Sequence, residues 1–376
     1  MGVMPGAMLG MLGGGQLGRM FIMAAQTLGY RVTVLDPSAD CPAGCVADRF
    51  LCADFTDTKA IQELGATCAA ITTEFENIPA TSLSILAESC IVSPDAQSVS
   101  IAQNRIYEKQ FLLENGFSVA PFVVIQDYND ITTTIPAELF PGILKVSQFG
   151  YDGKGQIRVS NKTELNAAFS DLKEKRCVLE LLMPLNCEIS VVLVRGGDGT
   201  ITVFPVSENQ HVHGILDISI TPARVSQETA QQAQETAIQV AKKLDYRGVL
   251  CIEFFVLDDG QLLINEIAPR PHNSGHYTID ACITSQFEQQ VRSLCGMPLG
   301  NTDMHCAAVM VNLLGDLWQR KEPDWKSVLQ HPLAKLHLYG KREARPKRKM
   351  GHYTVLDTTT DAALQQALDI KLALEI

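Results

Sequence analysis

With 376 residues, 46% hydrophobic content and a net charge of −11, the chain is long enough for two or three globular domains. The acidic balance argues against a general nucleic-acid binder, so any phosphate affinity has to come from local basic sites. Eleven cysteines with no Cys-x-x-Cys pair suggest reduced core thiols in the cytosol, no apolar run reaches the length of a membrane span, and the start lacks the basic region of a secretory signal.

Residues 8–12 read as a short buried strand leading into the turn Gly13, Gly14, Gly15, Gln16, Leu17 and Gly18. A helix with apolar positions at Met20, Ile22, Met23, Ala25 and Leu28 follows, then a strand over 31–36 ending in Asp36. This is a βαβ unit with a glycine turn at its first strand–helix junction. Gly13, Gly15, Gly18 and Asp36 loosely fit a dinucleotide fingerprint. The weaker reading is that the glycines free N–H groups at a helix N-terminus, where a phosphate or other anion can sit. A further strand near 69–73 ends in the polar cluster Glu74, Glu76 and Asn77, where open α/β sheets place ligand groups. A helix-rich stretch from Ser93 reaches Gly116, and the first domain closes near residue 102.

From Val119 the pattern changes to short strands. Lys145 lies inside the apolar run that starts at Gly142, where an unpaired ammonium is costly. The plain alternative is an edge strand from which it snorkels. Behind it, Gly150, Gly153 and Gly155 alternate with Tyr151, Asp152 and Lys154, a flexible loop whose backbone could close over phosphates. It is not a P-loop, because Lys154 is followed by Gly155. Residues 178–183 form a strand carrying Glu180, and another strand after Pro184 carries Glu188; solvent-facing alternation would account for both acids. His211 and His213 lie in a polar loop and belong to no zinc-like set. Residues 227–244 read as a helix.

The stretch 263–278 carries the most chemistry. An apolar strand ends in Asn265 and Glu266, and Arg270, His272, Asn273 and His276 follow among prolines and a glycine. Upstream, the run 249–256 buries Glu253, and Asp259-Gly260 is a hairpin signal between the two runs. A hairpin would set Glu253 and Glu266 side by side. Buried carboxylates need protons or cations, and oxygen ligands on adjacent strands suit Mg²⁺. Near the C-terminus, Lys341, Arg342, Arg345, Lys347, Arg348 and Lys349 form a basic run whose plain reading is a solvated loop.

In chain order, a strand lysine, a glycine-rich lid, a strand acid, a ribose-binding acid and two metal carboxylates ending in Asn-Glu resemble the ATP-grasp enzymes. The runs 13–20, 73–77, 150–156, 265–276 and 345–352 together are similar to the 5-(carboxyamino)imidazole ribonucleotide synthetase family over residues 8–356. The resemblance implies an α/β ATP-grasp fold with an N-terminal Rossmann-like (pre-ATP-grasp) domain over 1–102, a small lid domain with a helical connector over 103–179, and a C-terminal ATP-grasp domain over 180–376. It implies ATP- and bicarbonate-dependent carboxylation of 5-aminoimidazole ribonucleotide (AIR) through carboxyphosphate, in de novo purine biosynthesis. The implied cofactor is Mg²⁺ or Mn²⁺, with ATP as co-substrate. The expected partners are these small molecules and a second copy of the chain, with no nucleic acid or membrane, in the cytoplasm.

Residue by residue, the resemblance implies that Arg105 and Lys145 contact ATP phosphates beneath a lid of Gly150, Tyr151, Asp152, Gly153, Lys154, Gly155 and Gln156. Glu180, Leu181, Leu182 and Met183 form the adenine segment and hinge. Glu188 takes the ribose hydroxyls, and His211 lies close to the nucleotide. Glu253 and Glu266 bind the metal, with Asn265 alongside. Gly15, Gln16, Leu17 and Glu74 belong to the AIR pocket, and Lys341 and Arg348 hold the AIR phosphate. Tyr151, Asp152 and Lys154 sit near the intermediate, Arg270 neutralises charge, and His272 and Asn273 orient bicarbonate or AIR. Lys347 and Lys349 are read as solvated.

Three departures stand out. Residues 1–7 extend beyond the family's usual start, Lys347 stands where the family commonly has glycine, and Val212-His213 replaces a polar pair. The competing readings are an ATP-grasp ligase using formate or an amino acid, a nucleotide sensor without turnover, and a nicotinamide oxidoreductase. The last leaves everything after residue 140 unexplained.

Overall fold

The βαβ periodicity at the N-terminus produces a parallel five-stranded sheet in the order β3-β2-β1-β4-β5. Its strands are β1 (Met8–Leu12), β2 (Arg31–Asp36), β3 (Arg49–Cys52), β4 (Ala70–Thr73) and β5 (Ile91–Val92). The computed structural model describes residues 2–133, 135–148, 150, 154–319 and 321–374. Strands buried on both faces read as continuous apolar runs, and Leu9, Met11, Val32, Val34 and Ile71 are fully enclosed. The strand order reverses between β1 and β4, so the crevice beyond their C-termini is where such a sheet receives a ligand. Residues ahead of β1 are packed, since the Val3 N–H donates to Cys295 O (2.8 Å) and the Tyr30 hydroxyl donates to Val3 O (2.7 Å).

The next sheet is antiparallel and four-stranded, built from β6 (Phe122–Ile125), β7 (Gly142–Val146), β8 (Gln156–Val159) and β9 (Cys177–Leu181) in the order β6-β9-β7-β8. Lys145 is therefore on an interior strand, between β9 and β8, and the edge-strand alternative does not hold.

The largest sheet contains β10 (Leu185–Arg195), β11 (Ile201–Val203), β12 (Ser207–Val212), β13 (Ile215–Thr221), β14 (Gly248–Leu257), β15 (Leu262–Ala268), β16 (Ala307–Leu314), β17 (Ala334–Leu338) and β18 (Lys349–Asp357). Its path runs β15-β14-β10-β12-β13-β16-β18-β17, with β11 pairing β10. The predicted hairpin closes through residues 258–260, with Leu257 and Gln261 hydrogen-bonded (2.9 Å) and Gly260 at φ +84°. His213 and Gly214, both at positive φ, turn β12 into β13.

Helix Gln286–Leu294 docks the first sheet onto the largest. Its Phe287, Val291 and Leu294 join the core beneath β1 and β2, and Gln290 Nε2 donates to Thr72 Oγ1 (3.0 Å). No helix among the described residues is long and apolar enough to cross a membrane.

Candidate active site

Glu253 on β14 stands opposite Glu266 on β15. Immediately beyond, the register shifts so that Phe254 pairs with Ile264, which leaves Asn265 as the extra residue of a bulge. Neighbouring strand residues normally point to opposite faces, and a bulge re-aims them. Asn265 and Glu266 can therefore both address Glu253; Asn265 Nδ2 lies 3.5 Å from Glu253 Oε2. Burial, with Glu266 opposite, pushes the Glu253 carboxyl up to about 7 despite the nearby His211. That penalty is on the order of a few kcal/mol, and a cation between the two acids would relieve it. Asn265 Oδ1 is buried without a hydrogen-bond partner. Two carboxylates and an orphaned amide oxygen fit a hard divalent cation. No set of three His, Cys, Asp or Glu residues gathers as a cage among the described residues, which suits Mg²⁺, whose shell is usually completed by phosphate and water.

Facing this pair is a cluster of buried cations. Arg105, at the start of helix Arg105–Glu114, donates to Glu266 Oε2 (3.3 Å). Lys145 Nζ donates to Glu180 Oε2 (3.0 Å), and Lys109 Nζ lies 3.3 Å from Glu180 Oε1. Glu180 is only 2% exposed, so solvent-facing alternation does not explain it. Burial alone would raise its carboxyl, but Lys145, Lys109 and Arg105 outweigh burial and hold it near 2. At the end of β9, the Leu181 and Leu182 N–H groups donate to Pro121 O and Pro141 O (both 2.9 Å). Glu188 on β10 also turns inward, with Oε2 3.0 Å from His211 Nδ1. Burial would depress this histidine, and Glu188 more than compensates, raising it.

In the segment expected to form the lid, Gln156 pairs with Lys145 across β7–β8, and Gly155 adopts φ +72° where an added Cβ would lie 2.6 Å from Val146 Cγ2. Gly150 packs against the same Val146, and Lys154 is exposed. Tyr151, Asp152 and Gly153 lie outside the described residues.

Past β15, Arg270 Nε donates to Glu76 Oε2 (2.5 Å), joining the largest sheet to the first. Burial works against both charges, but each holds the other ionised, so Glu76 is lowered and Arg270 raised. His272 Nε2 lies 3.1 Å from Glu253 Oε1, and its Nδ1 is 2.8 Å from Ser274 Oγ. Burial, with Arg270 nearby, depresses His272 well below the usual imidazole range, so it is neutral. A buried chain continues behind it: Ser190 Oγ donates to Ser274 Oγ (2.7 Å) and Asn209 Nδ2 donates to Ser190 Oγ (3.0 Å). Asn273 forms a reciprocal amide pair with Asn312 (3.0 and 2.8 Å). That pairing anchors the loop and leaves one amide N–H for a ligand.

At the first sheet, the glycine turn has already found its anion. The Gly18 N–H donates to Glu74 Oε2 (2.7 Å), the Gly15 N–H donates to Glu74 Oε1, and Gly14 donates to Asp36 Oδ2 (2.7 Å). An added Cβ on Gly15 would lie 2.5 Å from Glu74 Oε1, so any side chain there would push the carboxylate out of the turn. The protein's own carboxylates thus fill the helix N-terminus, which corrects both the free anion site and the dinucleotide fingerprint. Gln16 is half-buried at the rim, whereas the Leu17 side chain belongs to the core.

The basic run comes to the same crevice. The Lys341 charge acts on Glu74, and its Nζ donates to Lys349 O (2.6 Å). Arg342 pairs with Asp40 of the first sheet's domain (2.6 Å), and Arg348 NH1 donates to Glu343 O (3.0 Å). The Lys349 charge helps to depress His272 and opposes the rise of His211, so Lys349 faces the site and is not simply solvated. Lys347 adopts φ +65°, which explains why glycine is natural there.

Sequence reasoning missed three buried charges, Lys109, Glu108 and Glu76. Glu76 stood in the polar cluster after β4 without an assigned partner. Glu108 and Lys109 share the Arg105 face of one helix, and charged residues at three- and four-residue spacing on an otherwise buried face were the available signal.

Residues 7–103 match the ribonucleotide synthetase preATP-grasp domain, 110–287 the ATP-grasp domain, and 308–366 the phosphoribosylaminoimidazole carboxylase C-terminal domain. N5-carboxyaminoimidazole ribonucleotide synthase of Brucella melitensis is 46% identical over 95% of this chain and 98% of its own length. The Staphylococcus aureus N5-carboxyaminoimidazole synthetase complexed with ADP superposes with a TM-score of 0.91 at 39% identity, covering 99% of this chain and 98% of that one. The Aspergillus clavatus enzyme in complex with ADP and 5-aminoimidazole ribonucleotide gives 0.90 at 29% identity, covering 98% of each chain. A carboxylate pair facing buried cations, on a fold shared along nearly its whole length with these relatives, places the chain in the N5-carboxyaminoimidazole ribonucleotide synthase family.

Proposed function

We propose that this chain uses ATP and bicarbonate to carboxylate AIR to N5-carboxyaminoimidazole ribonucleotide, releasing ADP and phosphate in de novo purine (IMP) biosynthesis. The observation that carries the reading is the position of Arg270 and His272. They lie between the Glu253–Glu266 pair and the Glu76 end of the first sheet, so they join a nucleotide side to a second substrate side.

Bringing ATP and bicarbonate together requires charge neutralisation, and Arg105, Lys145 and Arg270 supply fixed positive charge in a buried setting. The γ-phosphoryl group passes to a bicarbonate oxygen, giving carboxyphosphate and ADP. The AIR amine then takes the carboxyl carbon, directly or as released CO₂, and phosphate leaves with one bicarbonate oxygen. Carboxyphosphate is labile in water, so a lid over residues 150–156 serves to exclude solvent and hold the partners in attack geometry. Tyr151, Asp152 and Lys154 would act from that lid.

ATP-grasp enzymes use ATP with a divalent metal. Here Glu253 and Glu266, with Asn265 alongside, would hold Mg²⁺ or Mn²⁺, which supplies Lewis-acid stabilisation of phosphoryl charge. Glu180, Leu181, Leu182 and Met183 line the adenine edge, with the Leu181 and Leu182 N–H groups already used within the fold. Glu188 takes the ribose, oriented by His211. Neutral His272, held by Ser274 and Glu253, orients bicarbonate or AIR, with the spare Asn273 N–H beside it. Gly15, Gln16, Leu17 (through its backbone) and Glu74 shape the AIR pocket, while Lys341 and Arg348 take the AIR phosphate. A cytoplasmic homodimer completes the reading.

Bicarbonate labelled with heavy oxygen tests the carboxyphosphate route. One labelled oxygen should appear in each phosphate released. Unlabelled phosphate would show that water, and not bicarbonate, receives the phosphoryl group.

A further inference from the structure

Helix Arg105–Glu114 opens at Asn104, whose Oδ1 accepts from the Ile106 N–H (3.0 Å). Arg105, Glu108 and Lys109 follow at the spacing that puts side chains on one face. That face touches two different strands. Arg105 reaches Glu266, and the Ile267 N–H donates to Glu108 Oε1 (2.5 Å), both on β15. Lys109 reaches Glu180 on β9. Lys109 is 0% exposed and lies 5.7 Å from the Phe122 ring centroid, so it has no route to solvent.

Two ammonium groups thus share one buried carboxylate, unequally. Lys145 makes an aligned hydrogen bond to Glu180 Oε2. Lys109 Nζ, although 3.3 Å from Oε1, makes no aligned hydrogen bond, and both of those atoms retain unmet hydrogen-bonding capacity. Breaking a buried ion pair by removing one partner is strongly destabilising, because the other charge stays buried and uncompensated. A lysine that leaves Glu180 for a phosphate would incur that penalty if it were the only partner.

We propose that Lys109 is a positioning residue for ATP binding: it holds Glu180 as a standing counter-ion, so that Lys145 can pass from Glu180 to the ATP phosphates without stranding a buried carboxylate. This rests on the reading of Lys145 as a phosphate ligand. The lone Lys109–Glu180 contact then tightens as Lys145 departs. Neither the adenine nor the phosphates need touch Lys109.

The test is ATP affinity by titration calorimetry, with KM for AIR measured alongside. Lys109→Met should weaken ATP about tenfold or more while KM for AIR stays within about twofold, and Lys109→Arg should largely restore ATP affinity. Removing the carboxylate charge should remove the need for Lys109, so Lys109→Met/Glu180→Gln should bind ATP within about threefold of Glu180→Gln alone. That comparison also decides the matter if Lys109→Met by itself does not fold. The proposal is overturned by a Lys109→Met protein with near-normal ATP affinity, by equal losses for ATP and AIR, or by a double variant about tenfold weaker than Glu180→Gln. Lys145→Met tests the underlying reading separately, and undiminished ATP affinity there would remove that reading and the proposal with it.

Discussion

Glu266 faces Glu253 across the β14–β15 ladder, and the bulge at Asn265 sets the pair at the point where the strands lose register. Burial, with the Glu266 carboxylate facing it, pushes the Glu253 carboxyl up to about 7. Glu266→Gln keeps the side-chain volume and removes one charge, so the fold should survive. ATP turnover should fall by orders of magnitude, since metal stabilisation of the phosphoryl transition state is worth several kcal/mol. Steady-state ADP release at saturating Mg²⁺ is the check, and retained turnover would remove Glu266 as a ligand.

The AIR phosphate offers a contrast between adjacent residues. A charge-assisted contact from Arg348 is worth roughly 1.5–3 kcal/mol, so Arg348→Ala should raise KM for AIR about tenfold to a hundredfold and leave KM for ATP nearly unchanged. Lys347→Ala should change neither. Larger effects at Lys347 than at Arg348 would show that the phosphate lies elsewhere.

Lys347 also makes a stability prediction. Its φ of +65° disfavours any side chain with a Cβ, at a cost of about 1–2 kcal/mol. Glycine relieves that strain and returns part of the gain as unfolded-chain entropy. Lys347→Gly should therefore be more stable by up to about 1 kcal/mol in denaturant titration. Destabilisation would mean that the Lys347 side chain does more than tolerate its backbone.

Glu108 sets a pH dependence. Burial, with Glu266 nearby, pushes its carboxyl up to about 8 from an ordinary 4.5. The folded state then binds the proton more tightly than the unfolded chain, so folding loses stability as pH rises from about 4.5 to about 8. Glu108→Gln removes that dependence while keeping an acceptor for the Ile267 N–H. Without nucleotide or metal, the variant's stability relative to the parent should improve between pH 5 and pH 8 by on the order of a few kcal/mol. A difference that stays constant across the range would contradict the raised carboxyl.

What the sequence disclosed follows how local each signal was. An Asp-Gly turn between two apolar runs determines register within a hairpin, so Glu253 and Glu266 could be paired by eye. Lys145 inside an apolar run was visible as costly, but its partner Glu180 lies on another strand and read as ordinary alternation. Arg270 and Glu76 are separated by 194 positions, and no spacing rule links them. The helical spacing of Lys109 was readable, but its pairing with Glu180 on a distant strand was hidden for the same reason. The glycine turn misled because a free N–H cluster and one already bound to Glu74 look identical in sequence.

The most direct test of the central claim follows phosphate release and labelled carbon in the product together, in one mixture of ATP, Mg²⁺, AIR and labelled bicarbonate. The account predicts one labelled carboxyl group on AIR per phosphate released, with both signals lost when either AIR or bicarbonate is omitted. Phosphate release that continues at the same rate without AIR, or with no labelled carbon in the product, would contradict it.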